Sequence, residues 1–327
     1  MRIEAVKHQK EGTRPSSAIP TLSRRYASCP ALSSPVSTGL AESGAAAEWA
    51  AREAELLGTE LKLVSVWQPV PLAYTPFLGA ESQQHETIRV PHEAADGLRL
   101  RHPGVSVSVE QLSGRPSEVL ATAAEAAGLL VLGSRGLSGL GGFLVGSVGQ
   151  AVVAHARRPV VLVRAGEQAA DEHEQDPSGV PSAATSYRPV VLGLDTDSPD
   201  ASVIEFAFEA AARRDTALRV VHSWPLPPYF AYGLPEDPEL NARLAKDDAA
   251  ALIEALGSWR QKFPSVEVRA ESRPGRPADH LSAASKEASL VVVGRRNRSA
   301  PVGPRIGPVT HAVLHHAAAP VAVVPHD

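Results

Sequence analysis

The chain has little of several features that usually reveal a function. It holds one cysteine, Cys29, in 327 residues, which excludes an internal disulfide framework and any metal site built from several cysteines. No apolar run approaches the roughly 20 residues that cross a bilayer. The N-terminus lacks the apolar core of a secretory signal. We therefore expect a cytoplasmic protein.

A strong charge of one sign is also missing. The formal net charge of −4, with 21% charged residues, gives no reason to expect nucleic acid or an anionic membrane as a partner. Hydrophobic residues make up 43% of the chain, which is ordinary for a globular protein. A length of 327 residues is enough for two domains, each with a full core.

Catalytic and metal-binding signatures do not stand out either. Neither the Walker A pattern nor the Rossmann dinucleotide fingerprint fits, and the residues around Ser138 have the wrong spacing for a nucleophile elbow. His311, His315 and His316 have no acidic or cysteine partner at metal spacing, which favours a surface or packing role. We expect no metal site and no defined catalytic cycle.

What the sequence does contain is an internal repeat of domain size. The matching pairs are Leu61–Trp67 with Leu218–Trp224, 114–116 (Gly-Arg-Pro) with 275–277, 129–133 with 290–294, and 158–163 with 319–324. The offset is 157 residues at the tryptophans and 161 residues from the Gly-Arg-Pro onward. A period of this length indicates a tandem duplication of a whole domain rather than a solenoid.

Within each half, apolar strands alternate with helical stretches. Alanine-rich helical patterns cover 45–57 and 201–213, and Pro116 and Pro277 each stand at the start of a further helix. This alternation predicts a parallel sheet covered by helices on both faces. The polar stretch 165–187 between the halves has the composition of an exposed linker.

The stretch 130–164 is the most informative part of the chain. An apolar strand leads into a glycine-dense loop, a helix and a second apolar strand, with the spacing Gly133, two residues, Gly136, nine residues, Gly146-Ser147. Glycines at such positions let backbone N–H groups approach a phosphate, and a helix N-terminus adds donors and partial positive charge. A ligand-free, flexible strand-to-helix connection explains the same residues.

These residues resemble the nucleotide-binding signature of the universal stress protein family. The agreement includes the preceding Leu-Val-Leu strand, the following AVVAHARRPVVLV and the upstream Gly-Arg-Pro. The resemblance implies two tandem α/β domains, each a five-stranded parallel, doubly wound sheet of the adenine-nucleotide α-hydrolase-like type, paired through their last strands. The organisation it predicts is a disordered or aberrant segment at 1–41, domains at 42–165 and 188–327, and a linker at 166–187.

For the first domain, the resemblance implies an ATP site, with or without Mg²⁺, in a regulatory or stress-response role. The implied contacts are Val66, Leu132, Gly133, Arg135, Gly136, Gly146, Ser147 and Val148. Ser147 matches the phosphate-binding hydroxyl and Val148 the next amide. Val66 and Leu132 match the adenine and ribose region, although core packing explains them nearly as well. A solvated loop charge explains Arg135 equally well.

Each half departs from the family pattern at a different place. Where the family has an apolar first strand ending in Asp, the first half has SSPVSTGLA at 33–41, so we expect its first strand to be missing. A misread or frameshifted start, or decay of the domain, would explain this. The second half keeps the strand and Asp195, but Asn297 and Pro308 replace the second glycine and the hydroxyl residue. Proline brings neither an N–H nor a hydroxyl.

The second half therefore carries a degenerate site. Its remaining elements are Asp195, Gly294, Asn297 and Gly307, accompanied by Arg295, Arg296, Arg298 and Arg305. Asn297 is able to adopt positive φ and preserve the turn, and the arginines could replace lost amides with charge, although a solvated basic loop is the simpler interpretation. The alternatives are a nucleotide-binding regulator, a pseudo-dimeric scaffold that binds no nucleotide and, more distantly, a slow ATPase. Association of two chains into a homodimer stays open.

Overall fold

The computed structural model describes residues 28–32, 40–68, 80–136, 143–224, 237–297 and 305–327. The strands in these ranges are β1 Ser28–Leu32, β2 Leu61–Trp67, β3 Val107–Ser113, β4 Leu129–Gly136, β5 Phe143–Leu144, β6 Val160–Arg164, β7 Val190–Gly193, β8 Leu218–Trp224, β9 Val268–Pro274, β10 Leu290–Arg296 and β11 Val321–His326. The α-helices are α1 Leu40–Leu57, α2 Ala80–Arg101, α3 Pro116–Ala126, α4 Ser147–His155, α5 Ala201–Arg213, α6 Pro238–Lys262, α7 Pro277–Ala284 and α8 Pro308–His316.

The strands form one continuous sheet through both halves of the chain. Its order is β3-β2-β1-β4-β6-β11-β10-β7-β8-β9, and β5 pairs with β4 alone. Within each half the five main strands are parallel, whereas β6 and β11 run antiparallel, with Val161 opposite Ala322. The predicted parallel α/β class and the pairing of the domains through their last strands are both confirmed.

Strand β1 occupies the central position that we expected to be empty. Ser28 pairs with Leu61 of β2 and with Leu129 of β4, both in parallel. The expectation that the first domain lacks its first strand was therefore wrong. A gap there would leave the backbone groups of β2 and β4 unpaired. Residues 28–32, which lie upstream of the expected position, fill the gap despite their composition. Pairing with β2 breaks off after Ser28 and resumes at Ala31, beyond Pro30, which has no N–H to donate.

The sheet separates two apolar layers. Helices α1, α2, α5 and α6 cover one face, where Trp49 and Phe208 are the largest fully buried side chains. Helices α3, α4, α7 and α8 cover the other face and pack around Leu120 and Leu314. Because both faces are covered, the inner strands β4, β6, β7, β10 and β11 are largely continuous apolar runs. Ligands of such sheets bind at the carboxyl ends of the strands.

The repeated Gly-Arg-Pro builds the same turn in both halves. Gly114 and Gly275 have φ values of 137° and 125°, a region that favours glycine. Their N–H groups donate to the carbonyls of Trp67 and Trp224, at 3.0 and 2.9 Å. The arginine that follows is the N-cap of α3 or α7, and the proline takes the first helical position. The repeat in the sequence is therefore a repeat of backbone geometry.

The connection between the halves is folded onto the domain pair. It forms a 3₁₀ turn, Ala169–Glu172, and a bridge between His173 and Tyr187. Glu172 and His173 are buried, and Arg52 of α1 donates from Nε to the Glu172 carboxylate at 3.1 Å. The expectation of an exposed linker was wrong for this part, since these side chains find partners in the first domain and the connection itself.

Candidate functional site

The carboxyl edge of β4 and the N-terminus of α4 form the candidate site of the first domain. Gly136 at the end of β4 pairs with Phe143 of β5, so the loop leaves and returns at the same edge. Helix α4 begins at Ser147, with Gly146 as N-cap at φ −61° and ψ 161°. No described side chain caps this helix, and both residues are exposed. Within the described residues, the first N–H groups of α4 therefore have no side-chain partner, and they lie at the positive end of the helix dipole, an arrangement that suits an anion.

Most predicted phosphate contacts lie around this edge. Gly133 is exposed near the end of β4, and Val148 is half-buried in the first turn of α4. The backbone of Arg135 continues β4 and pairs with Leu144 of β5. The side chain of Arg135 lies outside the described part of the chain. The structure places these backbones at one edge of the sheet, while their contacts with a nucleotide remain a prediction.

The two residues predicted for the adenine and ribose region are part of the core. Val66 of β2 and Leu132 of β4 are 2% and 3% exposed. Both belong to the apolar layer beneath α3 and α4, together with Leu120. This burial is what core packing requires. A contact between either side chain and a nucleotide stays a prediction.

The register of β1 shows which residue of the first half corresponds to Asp195. Ala31 of β1 pairs with β2, and Gly193 of β7 pairs with the same position of the matching strand β8. Ala31 and Gly193 are therefore equivalent in the repeat. Two residues further along the sequence stand Ser33 in the first half and Asp195 in the second. Ser33 itself lies outside the described residues. At this position of the repeat the first half thus has a hydroxyl where the second has a carboxylate.

In the second half, Asn297 bonds to the last strand instead of holding a turn open. Its N–H donates to the His326 carbonyl at 2.5 Å, and its Nδ2 donates to Asp327 Oδ1 at 3.0 Å. Its Oδ1 accepts an N–H from Arg295 at 3.0 Å. Among the described residues, Asp215 is the only non-glycine with positive φ. The expectation that Asn297 preserves a positive-φ turn was therefore wrong.

The space beside Gly294 is filled by the second domain's own side chains. A Cβ on Gly294 would lie 2.8 Å from His326 Nε2, so that ring lies directly against the glycine. The Thr310 hydroxyl donates to the Gly294 carbonyl at 2.8 Å. Arg296, the last residue of β10, donates to the Ser198 hydroxyl at 3.1 Å, which links the end of β10 to the loop after β7.

The remaining predicted residues of the second half keep the backbone geometry of the first but offer fewer donors. Gly307 is the N-cap of α8 at φ −66° and ψ 158°, close to the values of Gly146. The next residue is Pro308, so the first turn of α8 has one N–H fewer. Asp195 is exposed, and its carboxylate accepts the N–H of Asp197 at 3.1 Å, which closes a local turn.

His222 of β8 is a buried polar residue that the sequence reasoning missed. Its Nδ1 donates to the Leu194 carbonyl at 3.0 Å, and its Nε2 lies 3.3 Å from both Thr196 Oγ1 and Asp248 Oδ1. The ring therefore ties the end of β7 to α6. Its counterpart in the first half is Ser65, and this exchange inside an otherwise matching strand was the available signal.

Other kinds of site find no support in the described ranges. No group of three or more His, Cys, Asp or Glu side chains there could hold a metal ion. The His311 and His315 rings contact each other at a tilt of 46°, with centroids 4.5 Å apart. None of the described helices has the length and apolar composition that a membrane span requires.

Two parallel α/β domains, joined through their last strands and each with a loop leading into a glycine-capped helix, define a tandem α/β protein. The chain belongs to the universal stress protein family, whose sequence profile matches residues 35–164 and 186–325. A universal stress protein of Mycolicibacterium smegmatis is 31% identical over 299 residues, covering 87% of this chain and 93% of the relative. One of Mycobacterium tuberculosis is 30% identical over 308 residues, covering 86% and 92%. The crystal structure of a universal stress protein from Archaeoglobus fulgidus shares the fold, with a TM-score of 0.61 at 18% identity over 91% of this chain and 98% of the other.

Proposed function

We propose that the first domain binds an adenine nucleotide, ATP, at the loop from Gly133 to Val148, and that binding serves a regulatory role in stress response. The main support is the start of α4. Gly146 and Ser147 are exposed there, and no described side chain satisfies the first N–H groups of the helix. An anion satisfies such groups well, because unpaired N–H donors and the helix dipole act together.

The chemistry of the loop suits a polyphosphate. Gly133 and Gly136 add no side chain that would keep a phosphate from the backbone. The Ser147 hydroxyl and the Ser147 and Val148 amides are donors on one helix turn. A hydrogen bond from such a donor to a charged phosphate is stronger than one between neutral groups. Mg²⁺ would be held mainly by the phosphates and water, as is usual for this ion.

Nucleotide complexes exist for other universal stress proteins. One has been solved in complex with cAMP, and one from Archaeoglobus fulgidus in complex with dAMP. Those complexes show nucleotide binding by those two proteins. For this chain, the proposal rests on its own loop and helix start.

We propose further that the second domain binds no nucleotide. His326 lies against Gly294, and Pro308 removes a donor. The Arg296–Ser198 hydrogen bond joins the end of β10 to the loop after β7, between which a ligand would have to enter. The pairing of β6 with β11 favours a second candidate function for the whole chain, a pseudo-dimeric scaffold that works without nucleotide. For the nucleotide-binding function we propose a regulatory role rather than a catalytic cycle, because no acid, base or nucleophile stands in a recognised catalytic pattern in the sequence.

The test is a calorimetric titration of the full chain with ATP and Mg²⁺. The decisive variant is Ser147→Pro, which gives α4 the start that α8 already has in this fold, and proline is well tolerated at the first helical position. We expect affinity to fall about 10- to 100-fold with the melting temperature retained, because a hydroxyl and an N–H are lost together.

The matched control is Ser198→Ala, which removes a hydroxyl from the corresponding edge of the second domain and should leave ATP affinity unchanged. Wild-type protein that releases no heat with ATP would leave the scaffold as the function. Equal affinity in wild type and Ser147→Pro would move the site away from α4.

A further inference from the structure

Arg295, near the end of β10, reaches out of its own domain. Its guanidinium donates to the carbonyls of Ala154 and Ala156 at the C-terminus of α4, at 3.3 and 2.5 Å. The residue is buried, with 5% of its surface exposed, and Asn297 Oδ1 accepts a third hydrogen bond at 3.0 Å. A side chain of the second domain thus caps the helix whose other end forms the proposed phosphate site.

The residue that corresponds to Arg295 in the first half makes no such reach. It is Ser134, whose hydroxyl donates to the Val163 carbonyl within its own domain at 3.3 Å. Gly136, which has no side chain, corresponds to Asn297. The pseudo-twofold symmetry of the sheet is therefore broken at this pair, and the support runs from the second domain to the first.

The contact is of a kind that fixes a helix in place. The last carbonyls of a helix have no partner inside it, and a cation there also interacts favourably with the helix dipole. The planar guanidinium binds the two carbonyls in a defined geometry, which an ammonium group does not reproduce. Because the group is buried, water cannot easily replace these hydrogen bonds if they are lost.

A second contact acts on the same loop. Helix α8 of the second domain packs against β5, the two-residue strand Phe143–Leu144 through which the loop returns towards α4. Strand β5 and helix α4 therefore both contact residues of the second domain.

We propose that Arg295 is a positioning residue for the nucleotide site of the first domain. By capping α4, it holds the helix start at Gly146 and Ser147 in the orientation that meets the phosphates. This inference rests on the proposed nucleotide function, and it gives the non-binding second domain a role as a built-in support. Coupling of this kind is reciprocal, so nucleotide bound to the first domain strengthens the contact between the domains.

The test compares Arg295→Met, which removes the donors at similar length, with Arg295→Lys, which keeps the charge and loses the planar geometry. Arg296→Met is the matched control, because the neighbouring Arg296 bonds to Ser198 within the second domain. ATP affinity is measured by calorimetry, and amide hydrogen exchange of α4 is measured without nucleotide. For Arg295→Met we expect affinity about five- to twentyfold lower and faster exchange confined to α4 and its loop. Arg295→Lys should be intermediate, and Arg296→Met should match wild type.

The outcomes separate the two proposals. A wild-type protein that does not bind ATP removes the proposed function, and this inference falls with it. A wild type that binds, with unchanged affinity and unchanged α4 exchange in Arg295→Met, overturns the inference alone. If Arg295→Met does not fold, Arg295→Lys decides by the same two readouts, because it retains a cation in the buried position.

Discussion

Glu53 of α1 and Arg214, which follows α5, form a buried ion pair at 2.5 Å that joins the two domains. Their side chains are 2% and 1% exposed, and Arg213 lies 3.5 Å from the second carboxylate oxygen. The Arg214 guanidinium also lies over the Trp49 ring, 5.9 Å from its centroid. Burial opposes ionisation of the carboxyl, but the two arginines together outweigh it and hold the pKa of Glu53 below its ordinary value. The domain interface therefore contains a buried ion pair, in which each charge is stabilised by the presence of the other.

Breaking this pair from one side should be costly. We expect Glu53→Gln to lower the free energy of unfolding by about 3 kcal/mol or more, since it leaves Arg214 buried without its carboxylate. The double variant Glu53→Met/Arg214→Met should recover most of that loss, because it removes both charges. The exposed Arg115–Glu118 pair provides the control, and Glu118→Gln should change stability by less than about 1 kcal/mol. Urea denaturation measures all three variants. A loss in Glu53→Gln no larger than in the control contradicts this account of the interface.

Glu167, at the start of the connection between the domains, should make stability depend on pH. Burial, and then the charge of Asp171, raises the pKa of Glu167 to about 8. The folded state thus retains a proton that the unfolded state releases at its ordinary pKa. Stability then falls as the pH rises between these two values.

The check compares wild type with Glu167→Gln in urea at pH values from 5 to 8. Relative to the variant, wild type should lose up to about 4 kcal/mol across this range. Parallel curves for the two proteins would show that the Glu167 carboxyl titrates normally in the folded state.

Gly114 should not tolerate a side chain. Its φ of 137° is unfavourable for other residues, and a Cβ would lie 2.9 Å from Val119 Cγ2. We expect Gly114→Ala to destabilise the protein by about 1–3 kcal/mol. Gly257→Ala is the control, because Gly257 lies inside α6 where an added Cβ would meet no atom within 4 Å, and it should stabilise by about 0.5–1 kcal/mol. Thermal unfolding distinguishes the two, and a Gly114→Ala variant as stable as wild type argues against the strained turn.

The sequence was sufficient for the features that repeat. The Gly-Arg-Pro turns, the alternation of strands and helices and the pairing through the last strands follow from local pattern and from the family resemblance. Strand β1 did not follow, because Cys29, Pro30 and the serines around them show no apolar strand pattern, and the family match begins at residue 35, after this strand. The requirement that a parallel sheet leave no gap between β2 and β4 was the signal that could have found it.

The site was predictable only where it depends on local chain geometry. The loop glycines and the start of α4 could be placed from their spacing. The partners of Arg295 and Asn297 could not, because they lie in the other domain or in the last strand. The burial of Glu172 likewise depends on a partner in α1 that is distant in sequence. Contacts between the two halves produce no periodic pattern in the sequence of either half.

The central position of β1 can be tested through its backbone. We expect amide hydrogens of Ser28–Leu32 and of β7 (Val190–Gly193) to exchange equally slowly, because each strand lies between two paired neighbours. Hydrogen exchange followed by mass spectrometry of peptic fragments gives both rates in one experiment. Rapid exchange in Ser28–Leu32 beside slow exchange in β7 would show that the first domain lacks its central strand.

The measurement that tests the account most directly is the number of ATP molecules bound per chain and their position. Equilibrium titration should give a stoichiometry of one, and ATP should slow amide exchange in the first turn of α4 around Gly146 and Ser147. The corresponding segment around Gly307 should show no such protection. Two ATP molecules per chain, or a single one that protects the segment around Gly307 instead, would contradict the assignment of the site to the first domain.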